Sequence, residues 1–416
     1  VLGEVTDTKR LVITWRGDII VDVDPATVAV DSPVYERPYH RPTWLDGLQA
    51  NSADALDRTS DAEELRAQVA TVISSANLAN TEWITNQYDR YVMGNTALSF
   101  PDDGGMIRVD EISGLGVALA TDANHRYSLL DPYRGAQLAL SEAYRNVAAT
   151  GSEPRAVSDC LNFGSPEDPE VMWQLVESIR GLADACLELE VPVTGGNVSL
   201  YNQTGTSPIH PTPVVAVLGV IDTVERRLPS GWQDDGENIY LLGDTHAELG
   251  GSEWAEIIHQ HVGGMPPEPN LGAEKALAGL MVVAARDGLV TSAHDVSTGG
   301  LIQTLVEGVL RRGVGARVWV SEIMEGGGID ITQTLFSESV ARMVVTVARE
   351  DDVKFRGLCE GRGVPVARIG VTDLTSQALD IAEYFQLSID ELVQLQRRTL
   401  PDVLGAVVGY NPSPTG

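Results

Sequence analysis

A glycine pair behind a short apolar segment is the feature that most restricts how this chain can fold. Residues 191–202 read Val-Pro-Val-Thr-Gly-Gly-Asn-Val-Ser-Leu-Tyr-Asn. Gly195 and Gly196 lack Cβ atoms, so their backbone can approach a ligand closely or adopt unusual dihedral angles. Asn197 and Ser199 add neutral oxygens and donors, which suit a phosphate or a metal that carries phosphate. A strand-ending turn explains the same residues, so this stretch alone leaves both interpretations open.

The charge balance restricts the classes of ligand that the chain can bind. The chain has 416 residues, of which 43% are hydrophobic, and this is enough for two or three globular domains. Asp and Glu number 59 against 29 Lys and Arg, which gives a formal net charge of −30. Such a field disfavours nucleic acid and anionic membranes as partners. A phosphorylated substrate must therefore be held by metal ions or by local amide and arginine donors.

The cysteine pattern indicates a reducing, cytoplasmic location. Cys160, Cys186 and Cys359 are scattered and form no CxxC pair, so neither a disulfide framework nor a zinc site is predicted. No apolar run reaches the roughly 18 residues of a membrane-spanning helix. The absence of an initiator methionine, together with an opening hairpin that has no sheet to join, suggests a fragment of a longer polypeptide.

In the first hundred residues, the sequence predicts few helices or strands that could belong to a hydrophobic core. Residues 11–23 read as a β-hairpin, and the proline-rich residues 31–60 read as an extended connector. A helix is predicted from Asp61 to about Ser74. A second helix is expected near 81–92, where four large side chains at apolar spacing are predicted to be core: Trp83, Ile84, Tyr88 and Tyr91.

Two units with strands and helices follow. Residues 95–222 predict an α+β unit, with helices at 133–150 and 169–188 between strands, and Pro229 begins a plausible domain boundary. Residues 239–371 predict an α/β unit. A short helix at 389–397 and a loose tail complete the chain.

Three further stretches contain side chains that could carry chemistry. Asp159, at the end of a predicted strand, can bond a ribose, a base or a metal-bound water, although a turn or helix cap is the simpler explanation. His294 and Asp295 show neither metal-ligand spacing nor a triad, so a structural pair is favoured. A buried pair between Glu338 and Arg342 is predicted across their turn. P-loop and Rossmann patterns are absent.

Taken together, these segments resemble the phosphoribosylformylglycinamidine synthase family, in its small bacterial type. The resemblance runs in order along nearly the whole chain. The matching segments are Asp131-Pro-Tyr-Arg-Gly-Ala136, Arg145-Asn-Val-Ala-Ala-Thr-Gly-Ser-Glu-Pro154, Ser158-Asp-Cys-Leu-Asn-Phe-Gly164, Val193-Thr-Gly-Gly-Asn-Val-Ser-Leu-Tyr-Asn202, Leu249-Gly-Gly-Ser252, Ala293-His-Asp-Val-Ser-Thr-Gly-Gly300 and Phe336-Ser-Glu-Ser339.

The resemblance implies a fold of the aminoimidazole-ribonucleotide-synthetase type. In that family a sheet-forming α+β domain precedes an α/β domain, and the pair occurs twice in tandem. This chain resembles the second copy. The implied parts are a tail of the preceding copy (1–40), a connector with helices (41–94), the two domains (95–228 and 229–400) and a loose tail (401–416).

The family reaction is an ATP-dependent amidine synthesis of purine biosynthesis. It converts formylglycinamide ribonucleotide, ATP and glutamine-derived ammonia into formylglycinamidine ribonucleotide, ADP and phosphate, with Mg²⁺ neutralising the phosphate charge. A glutaminase subunit and a small bridging subunit are the implied partners, together with the missing N-terminal half.

Motif by motif, the resemblance assigns four residues. Asp159 and Gly196 match ATP-contacting positions, Asn197 a magnesium position and Ser199 a substrate contact. None of the seven histidines stands in the family's catalytic motif, so no catalytic residue is assigned and the chain alone is expected to be inactive. His294, Asp295 and Glu338 would border a second, pseudo-symmetric cleft, and no ligand is assigned to it.

Two other functions stay open at this point. The chain could be a non-catalytic scaffold that binds nucleotide only for stability. It could also be a sister synthetase or kinase of the same superfamily, although the Asp159–Gly164 and Gly195–Asn202 motifs argue against that.

Overall fold

The computed structural model describes residues 2–404. The strands, in chain order, are β1 (Leu11–Trp15), β2 (Asp18–Val23), β3 (Thr96–Leu98), β4 (Gly105–Arg108), β5 (Gly116–Asp122), β6 (Glu153–Asn162), β7 (Val193–Ser199), β8 (Gln203–Thr204), β9 (Ser207–Pro208), β10 (Thr212–Ile221), β11 (Asn238–Leu242), β12 (Ser292–Asp295), β13 (Gly315–Val318), β14 (Met343–Val347), β15 (Val366–Asp373), β16 (Ala378–Ile381) and β17 (Phe385–Ser388). The helices are α1 (Pro25–Ala29), α2 (Leu45–Ala50), α3 (Ala62–Ile73), α4 (Glu82–Thr85), α5 (His125–Leu130), α6 (Pro132–Ala149), α7 (Pro169–Leu189), α8 (Glu253–His259), α9 (Leu271–Asp287), α10 (Gly300–Leu310), α11 (Ser321–Gly327), α12 (Ile331–Phe336), α13 (Asp352–Arg362) and α14 (Ile389–Val403).

A six-stranded sheet forms the first unit, in the order β3-β4-β5-β10-β6-β7. The β6–β7 pair is parallel and the other pairs are antiparallel. Burial alternates along β5 and β10, because successive side chains point to opposite faces. One face is covered by α6, which packs against α7. The other face is open, with Ile107 and Leu119 each 49% exposed.

A seven-stranded sheet forms the second unit, in the order β12-β14-β11-β15-β13-β16-β17. Every residue of β11 and β14 is buried, as expected for strands covered on both faces. One core cluster joins the two units, with Val147 and Val215 of the first and Leu280 and Val345 of the second. A second cluster includes Leu65 of α3, so this helix packs on the second unit.

The long helices of the first unit agree with their predicted positions because both begin at a capping aspartate. Asp131 accepts backbone N–H groups at the start of α6, and Asp168 does so for α7. Helix α7 ends before Glu190, whose φ of 59° is left-handed.

The predicted helix at 81–92 and its buried aromatics are wrong. Only α4 forms, and Ile84, Tyr88 and Tyr91 are 41%, 70% and 60% exposed. The carboxylate of Asp89 accepts the backbone N–H of Tyr91 at 2.8 Å. Such a local turn competes with helical hydrogen bonding, so the segment leaves the helix before its aromatics can form a buried face.

The C-terminal boundary also differs. Helix α14 continues to Val403, past the predicted end at Arg397, so residues 401–403 of the predicted tail are helical. Pro401 lies in the last turn, where its ring removes a single backbone donor. The rest of that predicted tail, residues 405–416, lies outside the described residues. Within residues 2–404, no helix combines the length and hydropathy needed to cross a bilayer.

Candidate functional site

Strands β6 and β7 run side by side and bring the predicted site residues into register. Asp159 lies opposite Gly196, Cys160 opposite Asn197, and Asn162 opposite Ser199. The glycine pair is therefore inside a strand. Both sequence-based interpretations, a strand-ending turn and a ligand loop, were wrong about its conformation, because the β6 backbone pairs with it.

Gly196 is required by the close approach of Asp159. A Cβ atom at position 196 would lie 2.5 Å from Oδ1 of Asp159 and 2.6 Å from its Cγ. At Gly195 a Cβ atom would meet nothing within 4 Å. Partial burial raises the pKa of Asp159. Burial, with a smaller contribution from the charge of Asp159, raises the pKa of the Cys186 thiol to about 11.

The four predicted residues divide between the two faces of the sheet. Asp159 lies opposite Val215 of β10, which is fully buried beneath the helices. Side chains alternate along a strand, so Asp159 and Gly196 face the helix layer whereas Asn197 and Ser199 face the open side. The candidate site residues therefore lie on both faces of the sheet at its edge strand β7.

The candidate side chains on the open face form few hydrogen bonds within the described part of the chain. Asn197 Nδ2 lies 3.8 Å from Cys160 Sγ. Asn202 Nδ2 donates to Ser199 Oγ at 3.1 Å and to the Phe163 carbonyl at 3.1 Å, which orients Ser199. Within the described part of the chain, no donor contacts the amide oxygen of Asn197, so this oxygen is available to a cation or to a ligand donor.

A half-buried acidic cluster at the end of β5 was missed by sequence reasoning. Burial, with the charge of Asp295 contributing, raises the pKa of Asp122 to about 7. Burial and the charge of Asp122 raise the pKa of Glu142 well above its usual range. With its amide oriented to donate, Asn146 Nδ2 lies 3.1 Å from Asp295 Oδ2. The available signal was Glu142 and Asn146, two polar residues four apart on the largely buried helix α6.

His294 belongs to an ion-pair network between the two units. Its Nδ1 lies 2.9 Å from Asp103 Oδ1, and its Nε2 lies 2.6 Å from Glu307 Oε2. Burial alone would lower the pKa of His294, but the charge of Asp103 and its hydrogen bond raise it well above the usual range. Asp103, His294 and Asp295 lie close enough to share a metal. Arg311 already pairs with Asp103 at 3.1 Å, however, so the geometry fits a structural network.

The predicted pair between Glu338 and Arg342 is wrong. Arg342 donates to the Ser339 carbonyl at 2.9 Å and to Thr245 Oγ1 at 3.0 Å. Glu338 accepts the backbone N–H of Gly299 at 2.8 Å and the hydroxyl of Tyr127. Each of the two side chains forms its hydrogen bonds with other partners.

Two domain models match the chain. Residues 101–221 match the AIR synthase related protein N-terminal domain, and residues 234–376 match the corresponding C-terminal domain.

Relatives of known name match almost all of the chain. It is 61% identical over 412 residues to the phosphoribosylformylglycinamidine synthase subunit PurL of Leifsonia xyli subsp. xyli, a match that covers 98% of this chain and 53% of that protein. It is 58% identical over 404 residues to the subunit of Streptomyces coelicolor, covering 97% and 53%. The chain thus spans about half the length of the curated relatives it matches.

Solved structures support the predicted two-domain fold. Thermotoga maritima PurL complexed with FGAR superposes with a TM-score of 0.67 at 18% identity, over 90% of this chain and 58% of that one. The same protein complexed with ATP gives a TM-score of 0.63 at 19% identity, over 89% and 57%.

The matched models and these superpositions confirm the predicted fold, and the high identity confirms the family that the motifs indicated. The chain belongs to the AIR synthase related family, and its sequence corresponds to about half of the phosphoribosylformylglycinamidine synthase subunits that it resembles.

Proposed function

We propose that this chain supplies one wall of the active cleft of an ATP-dependent, amidine-forming ligase. The reaction is the conversion of formylglycinamide ribonucleotide, ATP and glutamine-derived ammonia into formylglycinamidine ribonucleotide, ADP and phosphate. The observation that carries the proposal is the 61% identity, over 98% of the chain, to a subunit with that activity in its name. The FGAR and ATP complexes of a relative with the same fold support the substrate class.

The β6–β7 edge accommodates the nucleotide on one side. Because Gly196 has no Cβ, the Asp159 carboxylate can lie directly against the β7 backbone at the sheet edge. There it can accept hydrogen bonds from a ribose or base amine. Asp159 and Gly196 would therefore contact ATP.

The open side accommodates the metal and the substrate. Asn197 presents a carboxamide oxygen with no described donor, which fits the preference of Mg²⁺ for oxygen ligands. One amide oxygen cannot hold the ion alone, so phosphate oxygens, water and residues of the other half would complete its shell. Bound there, Mg²⁺ would offset phosphate charge. Ser199 donates to Asn202 Oδ1 at 3.3 Å, and its hydroxyl would turn from this partner to donate to the ribonucleotide.

Residues 1–40 would belong to the other half of the enzyme. Strands β1 and β2 form a two-stranded sheet of their own, and their aliphatic side chains are exposed, with Ile19 at 64% and Ile20 at 60%. A hairpin of this kind needs a further strand or layer to bury its apolar face. We assign residues 41–94 to the connector, and 95–228 and 229–400 to the two domains.

The complete enzyme would act in a complex in the cytoplasm. A glutaminase subunit and a small bridging subunit would supply the ammonia, in keeping with the PurLQS structure of Thermotoga maritima, which has the same fold.

The test is Asn197→Ala in the complete subunit, assayed for formylglycinamidine formation across a Mg²⁺ titration. We expect the rate to fall at least tenfold and the half-saturating Mg²⁺ concentration to rise, with unchanged thermal stability. Gln203→Ala removes an exposed amide just beyond the same strand and should leave both values unchanged. Retained activity with reduced stability would instead support the scaffold function. Turnover by the 416-residue chain alone would contradict the split site.

A further inference from the structure

A small cavity opens beside the turn between β16 and β17 of the second sheet, whereas β6 and β7 belong to the first. Its volume is 170 Å³. Trp319, Met324 and Tyr384 supply aromatic and thioether walls, and Glu325 and Glu383 supply carboxylates. Among the described residues, its lining contains no lysine, arginine or histidine. The cavity therefore combines π faces with negative charge.

The indole of Trp319 is fixed and already contacts one cation. Its Nε1–H donates to the carbonyl oxygen of Arg368 at 3.1 Å. The guanidinium of Arg368 lies 5.5 Å from the ring centroid, within the range of a cation–π contact. An indole held in this way can present its remaining surface to a second cation without losing side-chain freedom on binding.

The polar side-chain groups on the other walls of the cavity have weak partners or none among the described residues. The hydroxyl of Tyr384 donates to Met324 Sδ at 3.6 Å, and a thioether is a weak acceptor. Glu383 has a φ of 74°, a left-handed conformation that is uncommon for a residue with a side chain. Both carboxylates are exposed, so a ligand at the cavity meets them without first breaking an internal ion pair.

Size and charge together select the ligand class. At about 30 Å³ per water, the cavity has room for about five or six water molecules, well below the roughly 300 Å³ at which drug-sized sites begin. An anion would meet two carboxylates on a chain with a net charge of −30. Among the described side chains, a hard metal ion would find, beyond the two carboxylates, only the hydroxyl oxygens of Ser321 and Tyr384, and the remaining walls include an indole and a thioether. A small organic cation satisfies both the π faces and the carboxylates.

We propose that the Trp319–Tyr384 cavity binds an alkylammonium or guanidinium headgroup. The headgroup can come from a lysine or arginine side chain of a partner protein, or from a free small amine. Either source meets the same chemistry, so the test distinguishes them.

The experiment uses the chain labelled with 5-fluorotryptophan and read by fluorine NMR. The resonance of Trp319 is assigned by its loss in Trp319→Leu. Choline is titrated against 3,3-dimethyl-1-butanol, its neutral isostere. We expect the Trp319 resonance alone to shift saturably, with choline binding at least tenfold more tightly than the neutral compound. Glu383→Gln, which keeps the side-chain shape, should weaken choline at least threefold.

Trp15→Leu is the matched control. Trp15 also lies beneath an arginine, with Arg16 5.7 Å from the ring centroid, but it stands exposed on the β1–β2 hairpin. Its loss should leave choline binding unchanged.

A second series identifies the source of the headgroup. Acetyl-Gly-Lys-Gly-amide binding at least tenfold more tightly than choline would indicate a partner side chain, whereas equal affinity would indicate a free amine. Equal shifts from choline and its neutral isostere would overturn the proposal. So would the absence of a saturable shift with any cationic probe. Trp319→Tyr keeps an aromatic wall but lacks the fluorine reporter, so its choline binding is measured by titration calorimetry. It should retain weakened binding, which separates lost recognition from misfolding.

Discussion

At the scale of single residues, the glycine pair of β7 provides an internal comparison. Gly196→Ala would place a methyl group 2.5 Å from the Asp159 carboxylate, and Gly195→Ala would place one in open space. We expect Gly196→Ala to cost about 1–3 kcal/mol of unfolding free energy, as overpacking does. It should also weaken ATP binding in the complete subunit, because Asp159 must move.

Gly195→Ala is the control for that experiment. Alanine loses less backbone entropy than glycine when a strand forms, so the unfolding free energy of this variant should rise by about 0.5–1 kcal/mol. Its ATP binding should be unchanged. Urea unfolding and nucleotide titration measure the two effects separately. Equal behaviour of the two variants would show that the contact between Asp159 and Gly196 does not shape the site.

His294 gives a prediction about pH. Its pKa is raised in the folded chain, so its ion pairs contribute stability that is fully present below the unfolded value of about 6.5. That contribution is lost as pH rises through the higher folded pKa. The unfolding free energy should therefore fall as pH rises above 6.5, and His294→Gln should remove most of this slope.

Asp103, Asp295, Glu307 and Arg311 all face the imidazole, so the slope belongs to the whole network. The control is His246→Gln, at an exposed histidine on the loop after β11. A slope that persists in His294→Gln would assign the pH dependence to other groups.

At the scale of elements, helices α5 and α8 join the two units through a buried ion pair. Arg126 Nη2 lies 2.8 Å from Glu253 Oε2, and their side chains are 3% and 0% exposed. Arg126→Ala would leave Glu253 buried without its cation, so we expect a loss of about 3–5 kcal/mol by urea unfolding. Arg134→Ala, at a pair that is 29% exposed on the arginine side, should cost under about 1 kcal/mol. Similar losses for both would contradict a role for burial.

Capped and periodic elements were predictable from sequence, whereas those defined by distant partners were not. Helices α6 and α7 combine an aspartate cap with a long apolar face, both of which are local signals. Strands β16 and β17 are four residues each, and they form through pairing with β13 and with each other. The conformation of Gly195 and Gly196 depends on β6, more than thirty residues away.

The candidate site was likewise predictable from sequence only in part. The residue types at 159, 196, 197 and 199 indicated ligand chemistry, and motif resemblance gave each a role. Their distribution over two faces required the register of β6 and β7. The cluster of Asp122 and Glu142 was missed because each acid, taken singly, reads as a solvent-facing residue of a strand end or a helix.

At the scale of the whole molecule, the N-terminal hairpin should be dispensable in isolation. All five residues of β1 are exposed, and α1 has no buried residue. Removing residues 2–30 should leave the melting temperature of this chain unchanged in calorimetry, but lower that of the complete subunit, where the hairpin would have a partner. Removing α14, which buries Leu392 and Gln396, is the positive control. A lower melting temperature for the shortened isolated chain would show that the hairpin is part of this unit.

The distribution of the candidate site over both faces of β7 limits which sequence changes the chain can accept. Substitutions at single positions alter one contact at a time. Deleting one residue between Gly196 and Ser199 would instead move every later side chain of the strand to the opposite face of the sheet, because side chains alternate with a period of two. The serine would then point toward the helix layer, away from Asn197. The length of this segment is thus constrained in addition to the identities of Gly196, Asn197 and Ser199, so we expect family members to have no insertion or deletion there.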